Sequence, residues 1–249
     1  MLIDTHCHIH EADYALDREE TIVHAHQVGV AELLCVGTSE ESSRLAIEFA
    51  ESHEAIFATI GVHPHDTKDG YDVIEALAGT SKKIVAVGEI GLDYFYTHSP
   101  KETQIQALKN QIAVALRHNL PIVFHVREAF EDFWPIFDSF EGIRGVLHSF
   151  TGTQRELEEA LERGLYIGVN GISTFTKDET QKVMFDAIPL DKLLLETDAP
   201  FLTPNPFRGK VNEPAYVVKV AEYHADRRGI PVDEIAKATT TNAHALFAF

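Results

Sequence analysis

Short apolar runs alternate with longer stretches of helical period along the whole chain. Eight of the short runs are rich in β-branched or leucine side chains, and each has the length of a buried strand. The predicted strands lie near residues 2–4, 32–36, 56–60, 84–87, 122–124, 145–147, 166–169 and 193–195. The stretches between them are long enough to hold helices that cover a sheet.

Residues 102–118 show the helical period most clearly. Apolar side chains recur there at spacings of three and four residues, which places them on one face of a helix. The residues of this stripe are Ile105, Leu108, Ile112, Ala115 and Leu116. Further helices are predicted at about 17–28, 40–52, 154–162 and 177–186.

This alternation of strands and helices predicts right-handed βαβ units and a parallel sheet. Eight such units in 249 residues match the usual size of a (β/α)8 TIM barrel. We therefore expect a single domain over residues 1–249. A doubly wound open sheet is the alternative, although no G-x-G-x-x-G or Walker-type loop supports it.

Composition narrows the function classes. Hydrophobic residues make up 45% of the chain, enough for a packed core, and the net charge of −18 argues against a broad basic surface for nucleic acid. A phosphate substrate must then be held locally. No long apolar run and no basic-then-apolar leader is present, so we expect a cytosolic protein without a membrane span. Cys7 and Cys35 are expected to be reduced packing residues.

The segment "LIDTHCHIH" at residues 2–10 points to a metal. Side chains at positions i and i+2 of an extended strand project from the same face, so His6 and His8 converge on one point. Cys7 points to the opposite face. Convergent imidazoles are typical metal ligands.

The other metal-type residues follow different strands. In the predicted barrel each of them falls at the carboxyl end of a strand, the rim where active sites of this architecture lie. These residues are His6 and His8 after the first strand, Glu89 after the fourth, His125 after the fifth, His148 after the sixth and Asp198 after the eighth.

Four imidazoles and two carboxylates are too many ligands for one tetrahedral ion but suit two ions that share a carboxylate. Glu89, between Gly88 and Gly91 in "VGEIGLD", is the predicted bridge and a catalytic residue. Asp198, in "LLLETDAP", is predicted to bind one ion and to orient and deprotonate the attacking water. Imidazole-rich sites favour zinc or manganese, whereas magnesium prefers oxygen ligands.

Several motifs together resemble the TatD family of metal-dependent deoxyribonucleases, a branch of the amidohydrolase-like TIM barrels. They are "IDTHCHIH", "GVHPH", "VGEIGLDY", "PIVFHVR", "HSFTG", "ETDAPFLTP" and "RGKVNEP". The resemblance implies His6 and His8 on one ion, His125 and His148 on the other, Glu89 between them and Asp198 at the nucleophile. It also implies exonucleolytic attack on single-stranded DNA from the 3′ side.

Substrate contacts are predicted at four positions. His63 would contact a phosphate or leaving group, and Arg208 could pair with a phosphate from the loop after the last strand. Asn212 in that loop is assigned to substrate binding or, with Glu213, to fixing the loop. Tyr94 is assigned to base stacking together with the two aromatic residues that follow it.

Two residues are predicted to support the ligands. Glu196 lies on the same strand face as Asp198 and could hold a ligating histidine, and Arg127 is assigned a similar supporting role. The role of His65 stays open.

The resulting hypothesis is a monomeric two-metal nuclease for single-stranded DNA, using Zn, Mn or Mg. A D-aminoacyl-tRNA deacylase or a phosphotriesterase could use the same ligands. A cyclic-amide hydrolase would usually bridge its ions with a carbamylated lysine at the position of Glu89, which disfavours it. A non-enzymatic metal-binding module would need neither a bridging carboxylate nor an arginine-bearing loop.

Overall fold

The computed structural model describes residues 1–248, so Phe249, the last residue of the predicted domain, lies outside the described residues. The strands are β1 (Leu2–Cys7), β2 (Val30–Val36), β3 (Ile56–Ile60), β4 (Ile84–Asp93), β5 (Ile122–Arg127), β6 (Gly145–Leu147), β7 (Tyr166–Val169) and β8 (Leu193–Leu195). They form one sheet in chain order, and the pairs with a defined register are parallel. Parallel strands in sequence order with helices between them are the (β/α)8 TIM-barrel class, as predicted.

Ten α-helices connect or follow the strands in the described residues. They are α1 (Arg18–Gln27), α2 (Glu40–Glu51), α3 (Val73–Leu77), α4 (Lys101–Arg117), α5 (Phe130–Phe137), α6 (Gln154–Glu162), α7 (Ile172–Phe175), α8 (Glu179–Ala187), α9 (Val217–Arg228) and α10 (Val232–Phe247). None of these helices combines the length and the apolar composition that a membrane crossing requires.

The predicted helices are confirmed within two residues at each end, and side-chain caps set several starts. Asp17 accepts a hydrogen bond from the backbone N of Glu20 at the start of α1, at 2.9 Å. Thr153 and Glu156 form a reciprocal capping box at the start of α6. The segment of α5 was not predicted as a helix because it is only eight residues long and contains Pro135, a residue that usually interrupts helices.

The described residues divide into two compact units. The first unit comprises Met1–Cys35 and Ser149–Ala248, and the second comprises Val36–His148. In the first unit β1 pairs with β2, β7 pairs with β8, and α10 packs on β1 and β8. Cys7 and Cys35 are register partners in this unit and are free, fully buried thiols, as expected of packing residues.

The second unit is built on β3 to β6, with α2 packed on β3 and α4 on β4. Its apolar core includes an aromatic cluster in which the ring of Phe124 lies 5.1 Å from Phe133 and 5.9 Å from Phe137. All three rings are buried. Burying side chains of this size contributes about 2–3 kcal/mol each to folding, which makes β5 a rigid support.

Three strands extend further towards their carboxyl ends than the sequence predicted. β1 continues to Cys7, past its predicted end at residue 4. β4 continues to Asp93 and β5 to Arg127, because Ile90–Asp93 pair in register with 124–127. His6, Glu89 and His125 therefore lie inside strands and not after them, which corrects their predicted positions. Gly91 is needed here because an added Cβ would overlap the carbonyl oxygen of His125.

Candidate metal centre

His6, His8 and Asp198 form the first cluster, within the first unit. The Nε2 atoms of the two imidazoles are 3.1 Å apart, so the side chains converge as strand alternation predicts. Asp198 Oδ1 lies 3.4 Å from His8 Nε2 and 3.7 Å from His6 Nε2. Ligands at tetrahedral angles around a zinc-sized ion lie about 3.4 Å apart, so this donor set fits one divalent ion.

Asp4 and Thr197 hold the first cluster in place. The buried Asp4 carboxylate accepts hydrogen bonds from Thr197 N at 2.8 Å, from Thr197 Oγ1 at 2.5 Å and from His6 N at 3.3 Å. Burial raises the pKa of Asp4 well above its usual range, and these hydrogen bonds only partly oppose the rise. Asp4 has no predicted role, although an acidic residue within an apolar strand is a signal for one.

Asp198 adopts a left-handed backbone conformation, with φ of 59°. Its N–H donates to the carbonyl of His6 and its carbonyl accepts from Phe201 N, both at 2.8 Å. Aspartate is one of the few residues with a side chain that tolerates this region, and such conformations persist where surrounding contacts enforce them. The two hydrogen bonds thus fix the carboxylate beside the histidines.

His63, Glu89 and His125 form the second cluster, within the second unit. Glu89 Oε1 lies 2.8 Å from His125 Nδ1 and 3.5 Å from His63 Nε2, a spacing that also fits an ion. His148 Nε2 is 3.6 Å from the same oxygen. His63 was predicted to contact substrate, but its position makes it a candidate ligand, which the sequence analysis did not foresee.

The pKa values of His63 and His125 in the second cluster shift in opposite directions. Burial, helped by the neighbouring His125, lowers the pKa of His63 well below its usual value. The imidazole of His63 is therefore neutral near pH 7, as a ligand must be. Burial also disfavours protonation of His125, but hydrogen bonds to Asp93 and Glu89 outweigh it and raise its pKa.

Asp93 orients His125 from the side away from Glu89. Its Oδ2 lies 3.1 Å from His125 Nε2 and 2.9 Å from His65 Nε2. Burial alone would raise the pKa of Asp93, but hydrogen bonds from His125, Tyr96 N and His65 hold it below its usual range. A carboxylate on the far nitrogen of a ligating histidine fixes its ring and its tautomer. Asp93 stands in the quoted "GLD" but was not assigned.

The predicted substrate roles of Asn212 and Tyr94 do not agree with their surroundings. Asn212 is fully buried, and its side-chain amide donates to the carbonyls of Thr197 and Phe201, so it fixes the loop and does not face solvent. These contacts favour the loop-fixing role over substrate binding, and both roles stay predictions. The Tyr94 hydroxyl donates to Asp132 at 2.9 Å.

The ring of Tyr94 is also engaged, because the Lys101 ammonium lies 4.5 Å from its centroid. The ring therefore already has a partner on one face. The two following residues are instead exposed, Phe95 by 49% and Tyr96 by 42%.

The two predicted arginines lie at the surface. Arg208 donates to the Thr203 carbonyl at 2.9 Å and its guanidinium lies 3.9 Å from the centroid of Phe175, which holds the side chain extended. Arg127 stacks on Phe95 at 3.9 Å, and no described residue accepts a hydrogen bond from its guanidinium. Arg127 therefore makes no contact that would support a ligand.

Glu196 is buried and fixes backbone and side chains around the segment that follows His148. Its Oε1 accepts from Ser149 N at 2.7 Å and from Asn170 Nδ2 at 3.3 Å. Ser149 has a left-handed backbone, with φ of 47°. The carboxylate therefore stabilises the strained turn immediately after a candidate ligand.

Known proteins resemble this chain over nearly its whole length. A family model described as "TatD related DNase" matches residues 3–248. The "Uncharacterized metal-dependent hydrolase YabD" of Bacillus subtilis is 41% identical over 253 residues, covering 99% of both chains. The "3'-5' ssDNA/RNA exonuclease TatD" of Citrobacter rodentium is 35% identical, covering 99% of this chain and 97% of that one.

A solved structure agrees with these sequence relatives. The crystal structure of YjjV, a TatD homologue from Escherichia coli, superposes with a TM-score of 0.92 and 32% identity, covering 100% of this chain and 98% of that chain. The similarity in fold and the similarity in sequence thus both relate the chain to TatD proteins.

Proposed function

The chain belongs to the family of TatD-related DNases, and from this premise we propose that it is a two-metal hydrolase cutting phosphodiester bonds at the 3′ ends of single-stranded DNA. It is a metal-dependent hydrolase of that family. Support for a nucleic-acid substrate comes from the relative that is named a 3′-5′ exonuclease of ssDNA and RNA. The match over residues 3–248 also supports our proposal that residues 1–249 act as one hydrolase domain.

The observation that carries the proposal is the ligand spacing of the first cluster, in which His6, His8 and Asp198 present donor atoms 3.1–3.7 Å apart. These residues would hold one ion. His125 and Glu89, with His63 or His148, would hold another, and the bridging role of Glu89 stays a prediction. The imidazole majority favours zinc or manganese over magnesium.

Ions bound there would supply positive charge that makes a water molecule acidic and offsets charge on phosphoryl oxygens. The chain's own residues would do the rest. Asp198 is 14% exposed at its side chain, enough for a water molecule to reach the carboxylate, which would orient the water and accept its proton. Arg208, extended by Phe175, would donate to a phosphate oxygen.

The test combines metal analysis with cleavage of a 3′-labelled single strand in the presence of Zn²⁺, Mn²⁺ or Mg²⁺. We expect the wild type to bind two ions and shorten the strand stepwise. Asp198→Asn should bind metal more weakly at the first cluster and lose at least about 100-fold in kcat, because it removes both a charged ligand and the proton acceptor. Glu89→Gln should lose both metal and turnover. His26→Gln, at an exposed position outside both clusters, is the control.

Three results would reject parts of the proposal. A metal-loaded wild type that cuts no strand would rule out the nuclease activity. Release of the amino acid from an aminoacyl-tRNA, with every strand intact, would support a deacylase instead. Unchanged metal content and turnover in Glu89→Gln would exclude the bridge.

A further inference from the structure

An exposed aromatic pair follows β4 beside the second cluster. Phe95 and Tyr96 are 49% and 42% exposed, and their rings meet edge to face at 4.7 Å. Large aromatic side chains are seldom left in water side by side without a binding role. The pair lies four and five residues past Gly91, the last glycine of "VGEIGLD", in a segment that the metal ligands do not use.

Arg127 completes the surface. Its guanidinium carbon lies 3.9 Å from the centroid of Phe95 and 5.0 Å from that of Tyr96. Within residues 1–248 its side chain forms no ion pair and donates no hydrogen bond. In a chain of net charge −18, an exposed cation without a carboxylate partner is available for an anion. We call Phe95, Tyr96 and Arg127 the aromatic platform.

Asp93 ties the aromatic platform to the second cluster. One carboxylate oxygen accepts hydrogen bonds from the backbone N of Phe95 and of Tyr96, both at 2.9 Å, while the other faces His125 and His65. The ring of His65 in turn lies 5.4 Å from that of Tyr96. A single buried carboxylate therefore sets the position of the platform relative to a candidate metal ligand.

We propose that the aromatic platform stacks on an unpaired nucleobase near the strand end, while Arg127 donates to the adjoining phosphate. This inference rests on the proposed function and adds the residues that select an unpaired strand. Ring faces stack on any base, so the platform reads neither base identity nor the 2′-hydroxyl. Bases inside a duplex already stack on each other, so only single-stranded ends can use it.

The first test measures binding without turnover. Fluorescence anisotropy in EDTA gives the Kd of a phosphorothioate single strand and of the same strand with abasic sites at its three 3′ positions. Phe95→Leu combined with Tyr96→Leu should weaken binding of the base-bearing strand about 10- to 100-fold. The abasic strand should bind equally to variant and wild type, because it has no base to stack.

The salt dependence separates Arg127 from the rings. Arg127→Gln should weaken both strands and lower the slope of log K against log salt by about 0.7, the value of one phosphate contact on a single strand. Phe57→Leu is the matched control, because Phe57 also stacks with a cation, Lys83 at 4.8 Å, but stands near the start of β3, away from both clusters. It should bind both strands as the wild type does.

These binding experiments distinguish failure of the base-stacking proposal from failure of the proposed nuclease activity. Equal loss on both strands in the ring variant, or no loss on either, would overturn base stacking. A wild type that prefers the base-bearing strand, but cleaves none when metal is supplied, would leave the platform standing and reject the nuclease proposal.

Discussion

His224, on α9, makes the stability of the protein depend on pH through a buried imidazole. The side chain is fully buried, and its Nε2 lies 3.1 Å from Ser173 Oγ, whose hydroxyl donates to the Asn170 carbonyl at 2.8 Å. Nε2 therefore carries the proton. Nδ1 is buried and has no hydrogen-bond partner within residues 1–248, so a second proton there would add an unsatisfied charge.

The pKa of His224 is lowered from 6.5 to about 3. Burial is the largest cause, the charges of Arg228 and Arg227 also lower the pKa, and the charge of Asp186 partly raises it. The folded state thus binds this proton more weakly than the unfolded chain. The stability contribution is complete above pH 6.5 and is lost as the pH falls towards 3. Between pH 8 and pH 5 the linkage amounts to about 2 kcal/mol.

The assay is urea unfolding in EDTA at pH 8 and pH 5, for wild type and His224→Gln. Glutamine keeps a donor for Ser173 but does not titrate, so the variant should lose about 2 kcal/mol less stability than wild type over this range. All other titrating groups are the same in the two proteins, so their contributions cancel in the difference between wild type and variant. His26→Gln, at an exposed histidine, should follow the wild type. Equal pH slopes for wild type and His224→Gln would refute the reasoning.

Three further substitutions test other parts of the structure. Gly91→Ala should displace His125 and lower the number of zinc ions bound per chain; undiminished zinc content by elemental analysis would count against the close approach of the two strands. Asn212→Ala removes the hydrogen bonds of its amide to the carbonyls of Thr197 and Phe201 and should cost about 2 kcal/mol in urea unfolding, so a loss below about 0.5 kcal/mol would contradict its loop-fixing role. Asp17→Ala removes the cap of α1 and should cost about 1 kcal/mol by thermal unfolding, whereas Asp17→Asn should cost little; equal losses would show that the cap is not the cause.

The positions of strands and helices could be predicted wherever the pattern of apolar and polar residues runs uninterrupted through the element. β6, β7, β8 and α6 begin and end at the predicted residues. β4 and β5 were predicted too short, because the apolar run of β4 is interrupted at Gly88. Its continuation to Asp93 depends on pairing with β5, which no local window contains.

The sequence by itself determined the alternation of strands and helices, and with it the fold class, because residue periodicity is a local property of the chain. It also determined that His6 and His8 converge, since two-residue spacing on a strand fixes a shared face. The metal-type residues could be named from the sequence because each lies at, or within a few residues of, the end of a predicted strand.

Only the tertiary structure decided which side chains support those residues and which remain open to substrate. Asp4 meets Thr197 across 193 positions of sequence, and the Asn212 amide donates to the carbonyls of Thr197 and Phe201 in its own loop. Likewise Tyr94 is engaged with Asp132, whereas Phe95 is left exposed. Such outcomes depend on strand register and on which donor finds which acceptor, and these are fixed only when distant segments pack together.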